Sequence, residues 1–331
     1  MKLATFEIPT PAGPLRRLGA AVDGWIVDLA AAYSAYLDRT DAGCDAERLA
    51  ALLLPADMTV FLGSGTLGRD AAERAIETAG KPGDTGGARI RYRIPVGAGD
   101  DEIRLLAPVA RPRVLRDFLT FEGHTKQAFK ALGRTEPISP LWYQVPAYYK
   151  GDPDTVIGPE ASVQVPPYCE KFDFELELGM VIGRRGKDIL KSDAARYIAG
   201  YTIWNDFSAR DQQMKEGPLG MGPGKAKDFD GGNAIGPYLV TADAIDPDGL
   251  RMIARVNGET WTDASSAGRQ FSFPDLIAHV SQSETIHPGE VWGSGTVTGG
   301  SGLELGRWLK PGDVIELEIE GIGVLRNRVV G

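Results

Sequence analysis

The sequence predicts an α+β protein in which β-strands predominate. Its 42 glycines and 22 prolines are spread along the chain and separate many short runs of strand-forming residues. Glycine and proline at such intervals favour a β-rich fold over a helical bundle. No repeat of fixed period occurs in the sequence, so solenoids and propellers are not indicated. A few longer segments of helix-forming composition account for the α part of the prediction.

The first third of the chain is predicted to mix both kinds of element. Strands are expected at residues 2–8, 24–29, 90–94 and 101–106, and helices at 46–53 and 70–79. The segment LAPVARPR, residues 106–113, is interrupted by proline and marks the predicted boundary. We therefore expect a smaller N-terminal α+β module over residues 1–110 and a second domain over 111–331.

Strands dominate the second domain, with helices expected near residues 124–132, 192–198 and 273–282. Two glycine-rich segments in this domain resemble phosphate-binding loops. GPLGMGPGK, residues 217–225, fails the Walker spacing, and GSGTVTGG, residues 293–300, fails the GxGxxG spacing. Neither segment predicts a nucleotide site.

The charge balance excludes some classes of partner. Lysine and arginine number 36 against 45 acidic residues, a net charge of −9 that disfavours general binding to nucleic acid. The first residues, MKLATFEIPTPAG, lack the apolar core of a signal peptide, and no segment has the roughly 18 apolar residues of a membrane span. We expect a cytoplasmic protein that binds neither nucleic acid nor membrane.

Cysteine and histidine are scarce. The two cysteines, Cys44 and Cys169, lie outside any CxxC pattern and are expected to be reduced. Only three histidines occur: His124, His279 and His287. If this chain binds a metal through carboxylates, Mg²⁺, Mn²⁺ or Ca²⁺ suits it better than zinc.

The stretch FDFELELG, residues 172–179, places three acids on one face of a predicted strand. Asp173, Glu175 and Glu177 alternate with apolar residues, and neighbours on one face are about 6.6–7 Å apart at Cα. Such spacing permits a shared cation, but it equally fits a solvated face of an antiparallel sheet. A second stretch, VIELEIE at residues 314–320, alternates in the same way. Alternation alone does not choose between the two interpretations.

Other polar residues follow or precede apolar runs. The run in GYTIWNDFSARDQQ ends at Asp206, which is well placed as a helix N-cap, and Arg210 with Asp211 has the pattern of a surface pair. In RDFLTFEGH, Asp117 stands seven residues before His124.

These motifs together carry a resemblance to a known family. RDFLTFEGH, DFELELG, GYTIWNDFSARDQQ, GKAKDFD, GPYLVTAD, ARVNGE, SGT and KPGDVIELEIEGIGVLRN follow one another across roughly residues 111–331. In this order and spacing they resemble the fumarylacetoacetate hydrolase family. KLATFE and IVDLAAAY resemble, more loosely, the amino-terminal module of its longer members.

The resemblance implies a fold, an assembly and a metal. The fold is a mixed β-sandwich roll catalytic domain, and the assembly is expected to be a homodimer. The metal, Mg²⁺ with Mn²⁺ or Ca²⁺ as alternatives, would be held by Asp117, Glu175, Glu177 and Asp206. Asp173 falls outside that set and is expected to face solvent.

The resemblance also implies roles for other residues. His124 matches the general base, and Lys227 matches an active-site lysine, with Lys225 as a competing candidate two residues away. The residues that match the substrate side are Tyr149, Arg210, Gln213 and Thr296. For each of them the alternative is ordinary hydrogen bonding or packing, and Arg210 has the further alternative of bracing the metal-binding acids.

Two departures from the family pattern bear on the reaction. Leu119 replaces a tyrosine of the hydrolase, and Gln127 replaces a glutamate that pairs with the histidine in short decarboxylase and acylpyruvase relatives. We expect Glu122 to orient His124 instead.

The main hypothesis is a Mg²⁺-dependent hydrolase that cleaves a C–C bond in an acylpyruvate or another β-diketo acid, as in aromatic catabolism. His124 would activate water, and the metal would stabilise the enolate that is released. The alternatives are decarboxylation of a 2-oxo acid, tautomerisation of a 2-hydroxydienoate and a non-catalytic binding protein of the same fold.

Overall fold

The computed structural model describes residues 1–40, 43–80, 90–94 and 103–331. The N-terminal elements are β1 (Lys2–Ile8), β2 (Leu15–Val22), β3 (Trp25–Asp28), α1 (Leu29–Thr40), α2 (Ala46–Leu53), α3 (Met58–Gly63), α4 (Gly65–Ala79), β4 (Arg91–Arg93) and β5 (Arg104–Leu105). The strand predicted at 2–8 and the helix predicted at 46–53 have the predicted bounds. The first residues of the strand predicted at 101–106 lie outside the described residues.

Residues 111–331 contain most of the strands. They are β6 (Leu115–Phe118), β7 (Tyr148–Gly151), β8 (Val156–Ile157), β9 (Ser162–Gln164), β10 (Phe172–Asp173), β11 (Leu176–Ile182), β12 (Ile198–Asp206), β13 (Ser208–Ala209), β14 (Asn233–Thr241), β15 (Arg251–Val256), β16 (Glu259–Ser265), β17 (Val291–Gly293), β18 (Val314–Ile319) and β19 (Gly323–Val330). The α-helices in this range are α5 (Glu122–Ala131), α6 (Lys191–Ala194), α7 (Arg210–Glu216), α8 (Phe273–Val280) and α9 (Gly302–Leu305). Short 3₁₀ turns lie at Pro140–Tyr143, Pro153–Thr155, Ala195–Tyr197 and Gly217–Leu219. The predicted mainly-β α+β class is confirmed.

Two sheets organise the molecule. The larger has the order β4-β3-β2-β1-β14-β12-β11-β17-β6-β7, with β5 beside β1 and β8 beside β14, and the smaller has the order β16-β15-β18-β19-β9. Strand β1 pairs antiparallel with β14, so strands of the N-terminal module continue the sheet of the second domain. The division at residue 110 stays a prediction.

The apolar core lies on both faces of the larger sheet. On one face, side chains such as Leu178 and Ile203 pack with Met252 and Leu317 of the smaller sheet. On the other face, Trp204 and neighbouring residues pack with the N-terminal helices α1, α3 and α4. Because β11, β12 and β14 are covered on both faces, nearly all of their residues are buried.

The described residues contain no helix that is both long and apolar enough to cross a membrane.

Candidate metal centre and active-site cleft

An open cleft of about 1600 Å³ lies over the ends of β6 and β7, between α5, α7 and α9. Most of the residues predicted from the sequence line it: Asp117, His124, Tyr149, Glu175, Arg210, Gln213, Lys227 and Thr296. Glu177 and Asp206 are fully buried beside Asp117. The competing Lys225 is exposed, and its ammonium donates to the carbonyl of Asp228.

Three carboxylates meet at one side of the cleft. Asp117 on β6, Glu177 on β11 and Asp206 at the end of β12 each offer an oxygen, and these oxygens lie within 4.8 Å of one another. They meet because β17 pairs with both β6 and β11, while β12 pairs with the other edge of β11. Asp206 is not the helix N-cap that its position suggested, since the chain continues as β13 and α7 begins only at Arg210.

Gly293 makes this close approach possible. A Cβ at this position would lie 2.4 Å from Oε2 of Glu177 and 2.6 Å from Oδ1 of Asp117, nearer than side chains can pack. Two residues further along the chain, the amide of Gly295 donates to Oε2 of Glu177 at 3.2 Å. The sequence shows this residue only as one of many glycines, so its role emerges from the fold.

The carboxylate cluster carries excess negative charge. Burial, with the neighbouring Asp206 charge, raises the pKa of Asp117 well above its usual range. Burial, with Asp117, does the same to the pKa of Glu177. Oδ1 of Asp117 and Oδ1 of Asp206 are buried and have no hydrogen-bond partner among the described residues. Because several convergent oxygens without partners are what hard divalent cations bind, the residues present fit Mg²⁺, Mn²⁺ or Ca²⁺.

Glu175, the fourth predicted metal ligand, is held differently. Its Oε1 accepts from Arg210 Nη2 at 2.8 Å and from Thr296 Oγ1 at 2.7 Å, and its Oε2 accepts from the Lys227 ammonium. Burial alone would raise the pKa of Glu175, but the Arg210 and Lys227 charges hold it well below its usual range. Its role as a ligand stays a proposal.

Lys227 and Tyr149 both contact the carboxylate cluster. The buried Lys227 ammonium donates to Oδ2 of Asp206 at 2.6 Å as well as to Glu175. Burial would lower the pKa of Lys227, yet Asp206 and Glu175 raise it, so the side chain stays charged. The Tyr149 hydroxyl donates to the same Oδ2 of Asp206 at 2.6 Å.

Arg210 joins two acids of the alternating strand. The pattern suggested a surface pair with Asp211, but Arg210 is buried, and its Nε donates to Oδ2 of Asp173 at 2.7 Å. Its Nη1 donates to Gln213 Oε1 at 2.8 Å. The expectation that Asp173 faces solvent is wrong: the side chain is fully buried, because α9 covers it and supplies backbone amides to its carboxylate.

His124, in the first turn of α5, is 6% exposed and points into the cleft. Its Nε2 lies 3.8 Å from Oε1 of Glu175, and its Nδ1 lies 3.0 Å from Oε2 of Glu304 as a close charge contact that does not form a hydrogen bond. The expected partner Glu122 does not take this place. Its exposed carboxylate instead accepts from Tyr143 Oη at 2.5 Å and pairs with Lys126 at 2.7 Å.

Sequence reasoning missed Glu304. The residue lies in α9, where its carboxylate accepts from the Gly299 amide at 2.9 Å and from Ser301 Oγ at 2.9 Å. A serine three residues before a glutamate is a helix-start pattern, so the sequence could have located the turn but not its neighbour. His124 and Glu304 are 180 positions apart along the chain, and the contact exists only in the fold.

The second alternating stretch shows the contrast. In β18, Ile315, Leu317 and Ile319 are buried, and the intervening acids lie at the surface. Arg255 Nη1 donates to Glu318 Oε2 at 2.7 Å, with both side chains partly exposed. This strand has the ordinary solvated face, whereas the acids of residues 173–177 are enclosed.

The fold and the site together define an α+β protein with an enclosed carboxylate cluster that fits a divalent cation, next to a buried histidine. The family model described as "Fumarylacetoacetate (FAA) hydrolase C-terminal" matches residues 113–330. The chain belongs to the fumarylacetoacetate hydrolase family, as the motifs indicated, and is therefore identified as an enzyme of that family.

Individual relatives carry different names. The Homo sapiens protein named "Oxaloacetate tautomerase FAHD2A, mitochondrial" is 33% identical over 333 aligned positions, which cover 100% of this chain and 92% of that protein. The structure of a putative HpcE protein from Mycobacterium smegmatis has a TM-score of 0.71 at 26% identity, covering 98% of this chain and 99% of that one.

A third similar structure contains ligands. Maleylpyruvate hydrolase from Sphingobium sp. SYK-6, in complex with manganese(II) and pyruvate, has a TM-score of 0.67 at 22% identity and covers 100% of this chain and 99% of that one. At this identity the likeness shows the fold alone. Tautomerases and hydrolases thus share the fold, and the reaction has to be inferred from the site.

Proposed function

We propose that this chain is a divalent-metal-dependent enzyme that moves a proton at the carbon beside the keto group of a small 2-oxo acid, as in the keto–enol tautomerisation of oxaloacetate. The observation that carries the proposal is a buried base at the edge of the carboxylate cluster: His124, with Nε2 3.8 Å from Oε1 of Glu175. The human relative that aligns with the whole chain, and is named an oxaloacetate tautomerase, supports the same reaction.

The side chains of the cleft have separate roles in proton transfer. A divalent cation at Asp117, Glu177 and Asp206 would supply Lewis-acid stabilisation of negative charge on the oxygens of a 2-oxo acid. The carboxylate of Glu304, 3.0 Å from Nδ1 of His124, favours a proton on Nδ1 and leaves Nε2 free to accept one from carbon. The same Nε2 then returns the proton to the other end of the enolate.

Two further side chains favour this chemistry electrostatically. Lys227 places a positive charge between Glu175 and Asp206, where negative charge on the substrate would otherwise meet two carboxylates. Arg210 and Thr296 fix Glu175 through hydrogen bonds of 2.8 and 2.7 Å, which keeps the edge of the cluster in place.

The second candidate is hydrolysis of a C–C bond in an acylpyruvate, the main hypothesis from the sequence. The contact that favours it is again between His124 and Glu304, because a histidine with a carboxylate beside it can also activate water. The cleft of about 1600 Å³ would have room for water and an acyl group beside a 2-oxo acid. The two reactions share an enolate and differ in whether a C–C bond breaks.

A product analysis separates the candidates. Purified protein with Mn²⁺ or Mg²⁺ would be given oxaloacetate, and separately a panel of acylpyruvates. The enol would be followed by ultraviolet absorbance, deuterium uptake at C3 by NMR and products by mass spectrometry. We expect faster enol–keto interconversion with the four-carbon acid conserved. Release of two acids from an acylpyruvate, without faster tautomerisation, would favour the second candidate.

Two histidine variants provide the control. His124→Asn should lower the rate by about 10²–10⁴-fold, the usual contribution of a general base. His279→Asn, in α8 and not among the cleft-lining residues, should keep the parent rate. Equal rates for His124→Asn and the parent would contradict both candidates.

We propose three further properties on the family's pattern: Mg²⁺ as the resident cation, Glu175 as an additional ligand once the cation binds, and a homodimeric assembly. Calorimetry of the parent protein with Mg²⁺ and Mn²⁺ tests the first. The same titrations of Glu175→Gln test the second, because this variant should bind the cations more weakly. Light scattering coupled to size exclusion tests the third.

A further inference from the structure

Lys171 directly precedes the stretch of alternating acids. Phe172 of β10 pairs with Ala209, and Leu176 of β11 pairs with Asn205, so the two short strands keep one antiparallel register on either side of residues 174 and 175. Along such a strand every second side chain points to the same side. Lys171 lies one residue before β10, two positions ahead of Asp173. Lys171 and Glu175 both line the cleft.

Lys171 differs from the two other basic side chains close to the cluster. Arg210 is buried and bound by Asp173, Glu175 and Gln213, and Lys227 is buried and bound by Glu175 and Asp206. Lys171 is exposed to the cleft, and within the described part of the chain no carboxylate oxygen is recorded within 4.0 Å of its ammonium. The Lys171 ammonium lies over the ring of Trp308, whose centroid is 5.8 Å from Nζ.

The backbone at Lys171 is fixed by two hydrogen bonds, while its ammonium lies over the Trp308 ring and forms no ion pair within the described residues. Its amide donates to Oδ2 of Asp211 at 2.7 Å, and its carbonyl accepts from the amide of Arg210 at 3.1 Å. Four residues of chain can place its Cα at most about 14 Å from that of Glu175. A lysine side chain and a four- or five-carbon diacid together span that distance.

The charges around the cluster explain why such a cation is needed. A dicarboxylic 2-oxo acid bound at the triad by its keto-acid end would bring its second carboxylate into a cleft whose nearby acids include Glu175 and Glu304. A second carboxylate is tolerated there only beside a positive charge that is not already neutralised. Lys171 offers that charge in the cleft that Glu175 also lines.

We propose that Lys171 binds the distal carboxylate of the substrate, so that the cleft selects dicarboxylic over monocarboxylic 2-oxo acids. The assignment rests on the proposed function, because it takes the keto-acid end to lie at the triad. Trp308 forms the wall beside the ammonium and limits where the second carboxylate lies.

Calorimetry with two matched acids tests the assignment without relying on turnover. 2-Oxoglutarate and 2-oxopentanoate have the same carbon chain and differ in the distal carboxylate. With Mn²⁺ present, we expect the parent protein to bind the diacid about tenfold more tightly or better, as a charge-assisted contact would give. Lys171→Gln should remove most of this preference by weakening the binding of the diacid alone, and Lys171→Arg should restore the preference.

Lys130 provides the matched control. It is another exposed lysine that lines the cleft, but it lies in the last turn of α5, so Lys130→Gln should leave the preference intact. If Lys171→Gln weakens both acids equally, or neither, the Lys171 assignment is overturned while the proposed function stands. If the parent protein with Mn²⁺ binds neither acid, the proposed function fails and the assignment fails with it.

Discussion

Replacement of Asp173 tests whether the buried end of the acidic strand holds the site together. Its carboxylate accepts from the amides of Gly302 and Leu303 at 2.6 and 3.0 Å, and from Nε of Arg210 at 2.7 Å. Glu304, the neighbour of His124, follows Leu303 directly. Asp173 therefore joins the turn that carries Glu304 to the arginine that holds Glu175.

The magnitude follows from these contacts. Asp173→Ala would leave the buried Arg210 charge with Glu175 as its remaining carboxylate, and removing one member of a buried ion pair costs about 3–5 kcal/mol. The amides of Gly302 and Leu303 would also lose their acceptor, at about 1–3 kcal/mol each before relaxation. We expect the free energy of unfolding to fall by about 4 kcal/mol or more. Asp173→Asn keeps one accepting oxygen and should cost about 2 kcal/mol.

Urea denaturation followed by circular dichroism measures these losses. The matched control is Glu318→Gln in the second alternating stretch, where a partly exposed pair with Arg255 should contribute about 0–1 kcal/mol. If Asp173→Ala does not fold, Asp173→Asn still provides the comparison. A loss for Asp173→Asn no greater than that for Glu318→Gln would refute the reasoning.

Three further predictions concern the cluster and the base. Gly293→Ala should weaken Mn²⁺ binding at least about tenfold in calorimetry, since its Cβ would meet Glu177 and Asp117 oxygens at 2.4 and 2.6 Å. Gly63→Ala, where a Cβ meets open space, should leave Mn²⁺ binding unchanged. If Gly293→Ala bound Mn²⁺ as tightly as the parent protein, the packing argument would be contradicted. Glu304→Gln should lower turnover about 10–100-fold, whereas Glu122→Gln, on an exposed carboxylate, should leave turnover unchanged. Burial raises the pKa of Asp117 and Glu177, so without metal the folded state loses stability as pH rises from about 4 through the raised values. The gain in Tm that Mn²⁺ gives in calorimetric scans should therefore grow between about pH 5 and pH 8, and a constant gain would show that these acids do not bind protons as described.

Local pattern accounted for the elements that it specifies strongly. The strand at 2–8 and the helix at 46–53 have their predicted bounds because strand-forming and helix-forming composition are properties of adjacent residues. Strand β2 and helix α1 were not predicted. LRRLGAAV has no clean alternation, and α1 follows β3 directly, with Asp28 ending the strand and its Oδ1 accepting from the Ala31 amide at 3.1 Å. Packing of α1 against α4 stabilises this helix, whose weakly amphipathic sequence does not predict it.

By itself the sequence determined that Asp173, Glu175 and Glu177 share a face, and its ordered motifs determined the family. Only the tertiary structure decided what covers that face. It separates the enclosed strand from the solvated residues 314–320, and it places Asp173 against α9 rather than in water. It also places Glu304 beside His124 in place of Glu122, and Gly293 under the carboxylates. The reason is physical: alternation follows from the geometry of neighbouring residues, whereas enclosure depends on contacts between segments more than a hundred positions apart.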